Sequence, residues 1–221
     1  MSVLEFERRA SKSGKNKSLV IFIHGYGADG KDLLGLADSL ADHMPDTVFI
    51  APNAPHKCQM NPMGYEWFPV PWIDGSSEVD AQITMEQVVK TVNIFIDEMM
   101  SLENIGSENI ILLGFSQGSM LSLHLAPRRK IPVAGVVGFS GRLLRPEELK
   151  TEVISRMPIL LIHGDKDDVV PFTSLAEAAN NLTANGFTVY THVAEGMGHG
   201  ISPDGLGTAL QFMENMLISN N

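Results

Sequence analysis

This sequence predicts an α/β fold: a mostly parallel central sheet flanked by helices on both faces. Three observations carry that prediction. Six short, β-rich apolar runs alternate with longer stretches of helical character. Several runs are apolar at successive positions, as strands covered on both faces require, rather than alternating with polar residues. Polar, glycine-bearing segments follow four of the runs, at the strand ends where open parallel sheets collect their ligands.

In chain order the runs are "SLVIFI" (18–23), "TVFIAP" (47–52), "NIILLGF" (109–115), "VAGVVGF" (133–139), "PILLIHG" (158–164) and "TVYTHVA" (188–194). Helices are predicted near 30–43, 80–103, 117–126, 171–185 and 203–217. Several start at Asp, Ser or Pro, which satisfy or dispense with the unpaired amides of a first helical turn. The stretch 52–77 departs from this alternation, because it holds five of the twelve prolines and both tryptophans. Prolines at that density break a helix, so the stretch is expected to be a long ordered excursion. No repeat, low-complexity tract or linker divides the chain, and one domain over residues 1–221 is expected.

Composition narrows the partners. A chain of 221 residues, 44% apolar and 19% charged, can bury a substantial core. Its 16 Lys and Arg face 26 Asp and Glu, and a formal charge of −10 repels nucleic acid and anionic bilayers. Neither a nucleic-acid partner nor stable membrane association is expected. The opening "MSVLEFERRASKSGKNK" has no apolar signal region, and no apolar stretch approaches a membrane span, so a cytoplasmic location is expected. Cys58 is the only cysteine, which leaves no internal disulfide and no thiolate zinc cluster.

The chemistry is concentrated at the strand ends. "GFSQG" (114–118) places Ser116 between a buried strand and a helix, with glycine two residues before it and two after. A G-x-S-x-G at such a junction is a nucleophile elbow, where the sharp turn lifts the hydroxyl clear of the sheet. "GFSGR" (138–142) also puts a serine after an apolar strand, but it lacks the second glycine, and Pro146 interrupts the helix that should follow. Ser140 is therefore expected to be a loop residue. His199 lies between glycines in "EGMGHGIS", after the last strand and before the last helix, and is the best candidate base. His192 and His124 fall inside a strand and a helix, and His24 and His163, each before a glycine, are expected to brace loops. "GDKDDVVP" supplies the acid that must orient the base. Asp165 is expected to serve its own loop; Asp167 is chosen, with Asp168 as the alternative.

"GYGADG" (25–30) matches a dinucleotide fingerprint, but the end of the next strand offers Asn53 where that fingerprint needs an acidic residue. The loop is better read as donating the N–H of Tyr26 to an oxyanion hole, the second donor being the N–H of Gln117 beside the nucleophile. No H-E-x-x-H, paired histidines at helical spacing or thiolate pair points to a metal. Cys58, in a proline-rich loop without an elbow, is expected to be inert or to line a pocket.

Hydroxyl, carboxylate and imidazole thus follow in the Ser, Asp, His order of α/β-hydrolases. With "FIHGYGADG", "GFSQGS", "HGDKDDVVP" and "EGMGHGIS" in order over nearly the whole chain, the sequence resembles the phospholipase/carboxylesterase family of small α/β-hydrolases, which includes acyl-protein thioesterases and bacterial carboxylesterases. The resemblance implies an α/β-hydrolase fold and a serine hydrolase that cleaves carboxylic esters or thioesters through an acyl-enzyme. It implies Ser116, Asp167 and His199 as the triad, Tyr26 and Gln117 as oxyanion donors, and no cofactor. Trp67 and Phe68 are similar to the family's Trp-aromatic element beside the acyl site, so the excursion, Trp72 included, is expected to bind substrate. A homodimer fits the same resemblance, and so does a lysophospholipase activity; a ligand-binding module on this fold is the rival of another class. The chain departs from the family pattern at Ser119, where glycine is common, and at Asp168, where proline is usual.

Overall fold

In the computed structural model, which describes residues 2–218, seven strands form one sheet. They are β1 (Phe6–Arg9), β2 (Ser18–Ile23), β3 (Thr47–Pro52), β6 (Ile110–Phe115), β7 (Gly135–Phe139), β8 (Ile159–Gly164) and β9 (Val189–Ala194), while β4 (His56–Lys57) and β5 (Tyr65–Glu66) form a separate two-stranded ribbon. The sheet order is β1-β3-β2-β6-β7-β8-β9. Only β1 runs antiparallel, pairing with β3; every other neighbour is parallel. The helices are α1 (Gly30–Leu34), α2 (Ala37–Leu40), α3 (Pro71–Asp74), α4 (Glu78–Glu103), α5 (Gln117–Leu125), α6 (Leu149–Glu152), α7 (Thr173–Ala184) and α8 (Pro203–Ile218).

The central strands read as unbroken apolar runs because both their faces are covered. Leu19, Ile21 and Ile23 of β2 join one core with Val88, Val92, Phe95 and Ile96 of α4 and with Leu121 of α5. Val20 and Phe22 point the other way, into a second core with Leu33 and Leu40 of α1 and α2 and Ala209, Phe212 and Met213 of α8. The period-two alternation of a strand therefore feeds two helical layers. Among the described residues, no helix is long and apolar enough to cross a membrane.

Two expectations need correction. "FERR" was not expected to be a strand. As an edge strand it needs no apolar run: it is held by its ladder to β3 and by the Arg8 guanidinium, which grips Glu103 with Nε at 2.6 Å and Nη2 at 2.9 Å. The helix expected over 30–43 is two short helices, because past Gly35 the bonds tighten to three-residue spacing, Leu36 N–H to the Leu33 carbonyl and Asp38 N–H to the Gly35 carbonyl. The excursion is ordered, as expected, and holds the β4–β5 ribbon and α3, whose Pro71 stands at the first helical position, where its missing N–H costs nothing.

Candidate active site

Ser116 sits between β6 and α5 at φ 52°, ψ −115°, a conformation that costs a non-glycine residue strain. The turn is fixed from both sides: Ser116 N–H donates to the Phe139 carbonyl at 2.9 Å, and its own carbonyl accepts from Met120 N–H at 3.1 Å. Both motif glycines are sterically required. A Cβ on Gly114 would overlap the backbone of Gly118, and one on Gly118 would overlap the Ile23 carbonyl of β2.

His199, on the loop from β9 to α8, brings Nε2 to 2.9 Å from Ser116 Oγ. Its Nδ1 lies 2.8 Å from Asp167 Oδ2. A carboxylate can only accept, so Nδ1 carries the proton and Nε2 is left to accept from the serine hydroxyl. The buried Asp167 carboxylate also accepts from Val169 N–H at 3.0 Å and Val170 N–H at 2.8 Å through Oδ1. Burial works against its charge, but the His199 and amide hydrogen bonds outweigh burial and hold its pKa below the ordinary carboxylate value. Asp168, the alternative acid, is exposed. Asp165 accepts from Gly196 N–H at 2.6 Å and so joins its own loop to the one that carries His199.

The excursion is clamped to the elbow by the Gln117 side chain, whose Oε1 accepts from Trp67 N–H at 2.9 Å and whose Nε2 donates to the Phe68 carbonyl at 2.6 Å. Trp67 was expected to bind substrate, and its position argues otherwise. It is 0% exposed, with Nε1 spent on the His24 carbonyl at 2.9 Å, so it is a pillar behind the site. A tryptophan in a proline-rich loop looks the same in sequence whether it faces cleft or core. Phe68 and Trp72 line a cavity of about 460 Å³, with Pro71, Met85, Arg142 and Leu143, and the Phe68 carbonyl on Gln117 Nε2 ties that wall to the elbow. Trp72 remains 48% exposed, its ring 5.0 Å from the Arg142 guanidinium.

A strained serine, an imidazole and a buried carboxylate in one hydrogen-bonded line are shared by many hydrolases, and the family question turns on the whole chain. Residues 5–217 match the model of the phospholipase/carboxylesterase family. The chain belongs to that family. As a phospholipase/carboxylesterase family member of α/β-hydrolase fold, it is a carboxylic ester hydrolase. It is similar to esterase PE8, whose crystal structure superposes with a TM-score of 0.91 at 40% identity, covering 97% of this chain and 99% of that one. It is 30% identical to acyl-protein thioesterase 1 of Saccharomyces cerevisiae, covering 96% of this chain and 98% of the relative. A probable carboxylesterase of Oryza sativa subsp. japonica is 29% identical, over 94% of this chain and 81% of the relative.

Among the other histidines of this family member, His24 and His163 brace loops as expected. His24 donates through Nδ1 to the Gly25 carbonyl at 2.8 Å and accepts Ala54 N–H on Nε2 at 3.0 Å, and burial lowers its pKa so that it stays neutral. His163 Nε2 donates to the Val170 carbonyl at 3.0 Å and stands 3.2 Å from Asp167 Oδ2. It therefore supports the loop that carries the buried carboxylate, a role its sequence spacing does not reveal. Ser140 follows β7 with no α-helix directly after it, buried and at φ 48°, close to the φ of Ser116, but its hydroxyl has no hydrogen-bond partner.

Proposed function

We propose that this chain cleaves carboxylic esters, and thioesters with them, by a two-step acyl-enzyme mechanism. Ser116 is the nucleophile, His199 the general base and acid, and Asp167 the group that orients and stabilises the imidazole. Ser116 Oγ attacks the carbonyl carbon while His199 Nε2 takes its proton. The oxyanion is held by the N–H groups of Tyr26 and Gln117; the latter opens α5, where first-turn amides have no intrahelical acceptor. Collapse expels the alcohol or thiol, which receives the proton from His199. Water, deprotonated by the same nitrogen, then hydrolyses the acyl-enzyme, and the free acid and Ser116 are released.

One observation carries this reading: the line Asp167 Oδ2, His199, Ser116 Oγ, with contacts of 2.8 and 2.9 Å in the direction that proton transfer needs. The cavity walled by Phe68 and Trp72 is the proposed acyl site. The thioester half of the proposal is supported by the relatives named acyl-protein thioesterase 1, which match along nearly the full chain.

The test is kcat/KM across p-nitrophenyl esters from acetyl to palmitoyl, with matched thioesters and with Ser116→Ala as the blank. An optimum at short acyl groups fits a closed cavity and a carboxylesterase. A long-chain optimum with preference for thioesters fits the thioesterase reading. Equal rates for wild type and blank at every length would overturn the triad assignment and leave a ligand-binding role on the same fold.

A further inference from the structure

The oxyanion loop and the wall of the acyl cavity meet at one carboxylate outside the triad. Tyr26 OH donates to Asp74 Oδ2 at 3.2 Å. The same oxygen accepts Val70 N–H at 2.7 Å, and Asp74 Oδ1 accepts Ser76 N–H at 2.9 Å. Asp74 is the last residue of α3, and Val70 is the cap that precedes it. One side chain thus secures both ends of a four-residue helix that is too short to hold its own shape. That helix carries Pro71 and Trp72, two residues of the cavity wall.

The other end of this contact reaches the reacting centre. Tyr26 follows Gly25, on which a Cβ would come within 3.4 Å of Ser116 Cβ, so its backbone runs directly beside the nucleophile. The flanking residues of the loop are held by the ribbon, through Gly27 N–H to the Tyr65 carbonyl at 2.8 Å and Tyr65 N–H to the Ala28 carbonyl at 2.8 Å. Tyr26 itself is steadied through its phenol. Burial, with the Cys58 thiol and Glu66 carboxylate beyond it, raises the pKa of that phenol, so the hydroxyl keeps the proton it donates.

We infer that Asp74 is a positioning residue that couples the acyl cavity to the oxyanion loop, so that an acyl group filling the cavity raises kcat as well as binding. The inference rests on the reading of Tyr26 N–H as an oxyanion donor. An acyl chain seated against Pro71 and Trp72 fixes α3. Through Asp74 and the Tyr26 hydroxyl, α3 then fixes the peptide whose N–H meets the oxyanion. Binding energy from a part of the substrate that does not react is in this way realised in the transition state.

The experiment compares p-nitrophenyl acetate with p-nitrophenyl octanoate. p-Nitrophenolate departs in acylation, so under deacylation-limited turnover, recognised by a burst, kcat compares acyl groups alone. The quantity read is the octanoate-to-acetate ratio of kcat. Tyr26→Phe removes only the hydroxyl and is expected to lower that ratio about tenfold, within the usual range of coupling between sites. Asp74→Ala should lower it as far, and the double variant no further. Asp74→Asn, which retains an acceptor for the Tyr26 hydroxyl and Val70 N–H, should restore most of it. An unchanged ratio in Tyr26→Phe, an equal loss on both esters, or additive losses in the double variant would each overturn the coupling. If Asp74→Ala does not fold, Tyr26→Phe and Asp74→Asn decide the question. The catalytic reading is judged separately by Ser116→Ala: an inactive Ser116→Ala beside an unchanged Tyr26→Phe ratio sinks only the coupling.

Discussion

His199 Nε2 lies 2.9 Å from Ser116 Oγ although 83 residues separate them. Parallel topology accounts for the meeting. β6 and β9 point the same way in one sheet, so the elbow after β6 and the loop after β9 leave from the same edge. The loop after β8, between them in chain order, brings Asp167 to the far side of the imidazole.

Ser116→Ala should lose about 10⁴- to 10⁶-fold in kcat on the best p-nitrophenyl ester, because triad members act as a unit. A variant that kept a tenth of wild-type kcat would contradict the assignment. Ser116→Gly should be equally inactive and about 1 kcal/mol more stable, since glycine tolerates φ 52° and relief of strain outweighs its larger unfolded-state entropy. Urea midpoints of the two proteins measure this.

Asp167→Asn should lower kcat about 10⁴-fold, by removing the charge that favours the productive tautomer and stabilises the imidazolium. Asp168→Asn, at an exposed position, should stay within a few-fold of wild type. Comparable losses in the two variants would mean that the acid has been misplaced.

That distinction marks how far the sequence could be read. β2 and β3 match their apolar runs residue for residue, because six successive buried positions leave little freedom in where the strands begin or end. The meeting of Ser116 and His199 was legible because glycines on both sides of each mark tight turns that can bring a side chain back over the sheet. Three aspartates within four loop positions, by contrast, differ only in which way each points, and that is decided by the Val169 and Val170 amides closing on Asp167. β1 was illegible because its charged, half-exposed "FERR" takes its strand character from pairing with β3 and not from burial. Trp67 was misread because the clamp from Gln117, 50 residues away, turns it inward.

Ser119 carries a fully buried hydroxyl with no hydrogen-bond partner, close behind the elbow against Gly138 and Gly141. An unpaired buried hydroxyl costs about 1–3 kcal/mol in desolvation. Ser119→Ala should accordingly raise stability by about 1 kcal/mol in urea unfolding. A loss of stability would reveal a partner for the hydroxyl.

His124, buried on α5, has its pKa lowered to about 4 by burial and by the charges of Arg128 and Arg145. The unfolded chain titrates this group near 6.5, so between those values it is the unfolded state that binds the extra proton. Stability should be complete above about pH 6.5 and fall as pH drops toward 4, by an amount of order 3 kcal/mol at most. Urea midpoints at pH 7.5 and 5.0 should differ less in His124→Gln than in wild type. An identical difference in both proteins would remove His124 as the cause.

If Ser116 forms a covalent acyl-enzyme, an organophosphate should trap the same oxygen. Intact-mass measurement, followed by peptide mapping, should show one phosphoryl group per chain, on Ser116, with ester hydrolysis lost in proportion to labelling and no adduct on Ser116→Ala. Full hydrolysis by a protein that takes up no label, or takes it up elsewhere, would rule out Ser116 as the nucleophile.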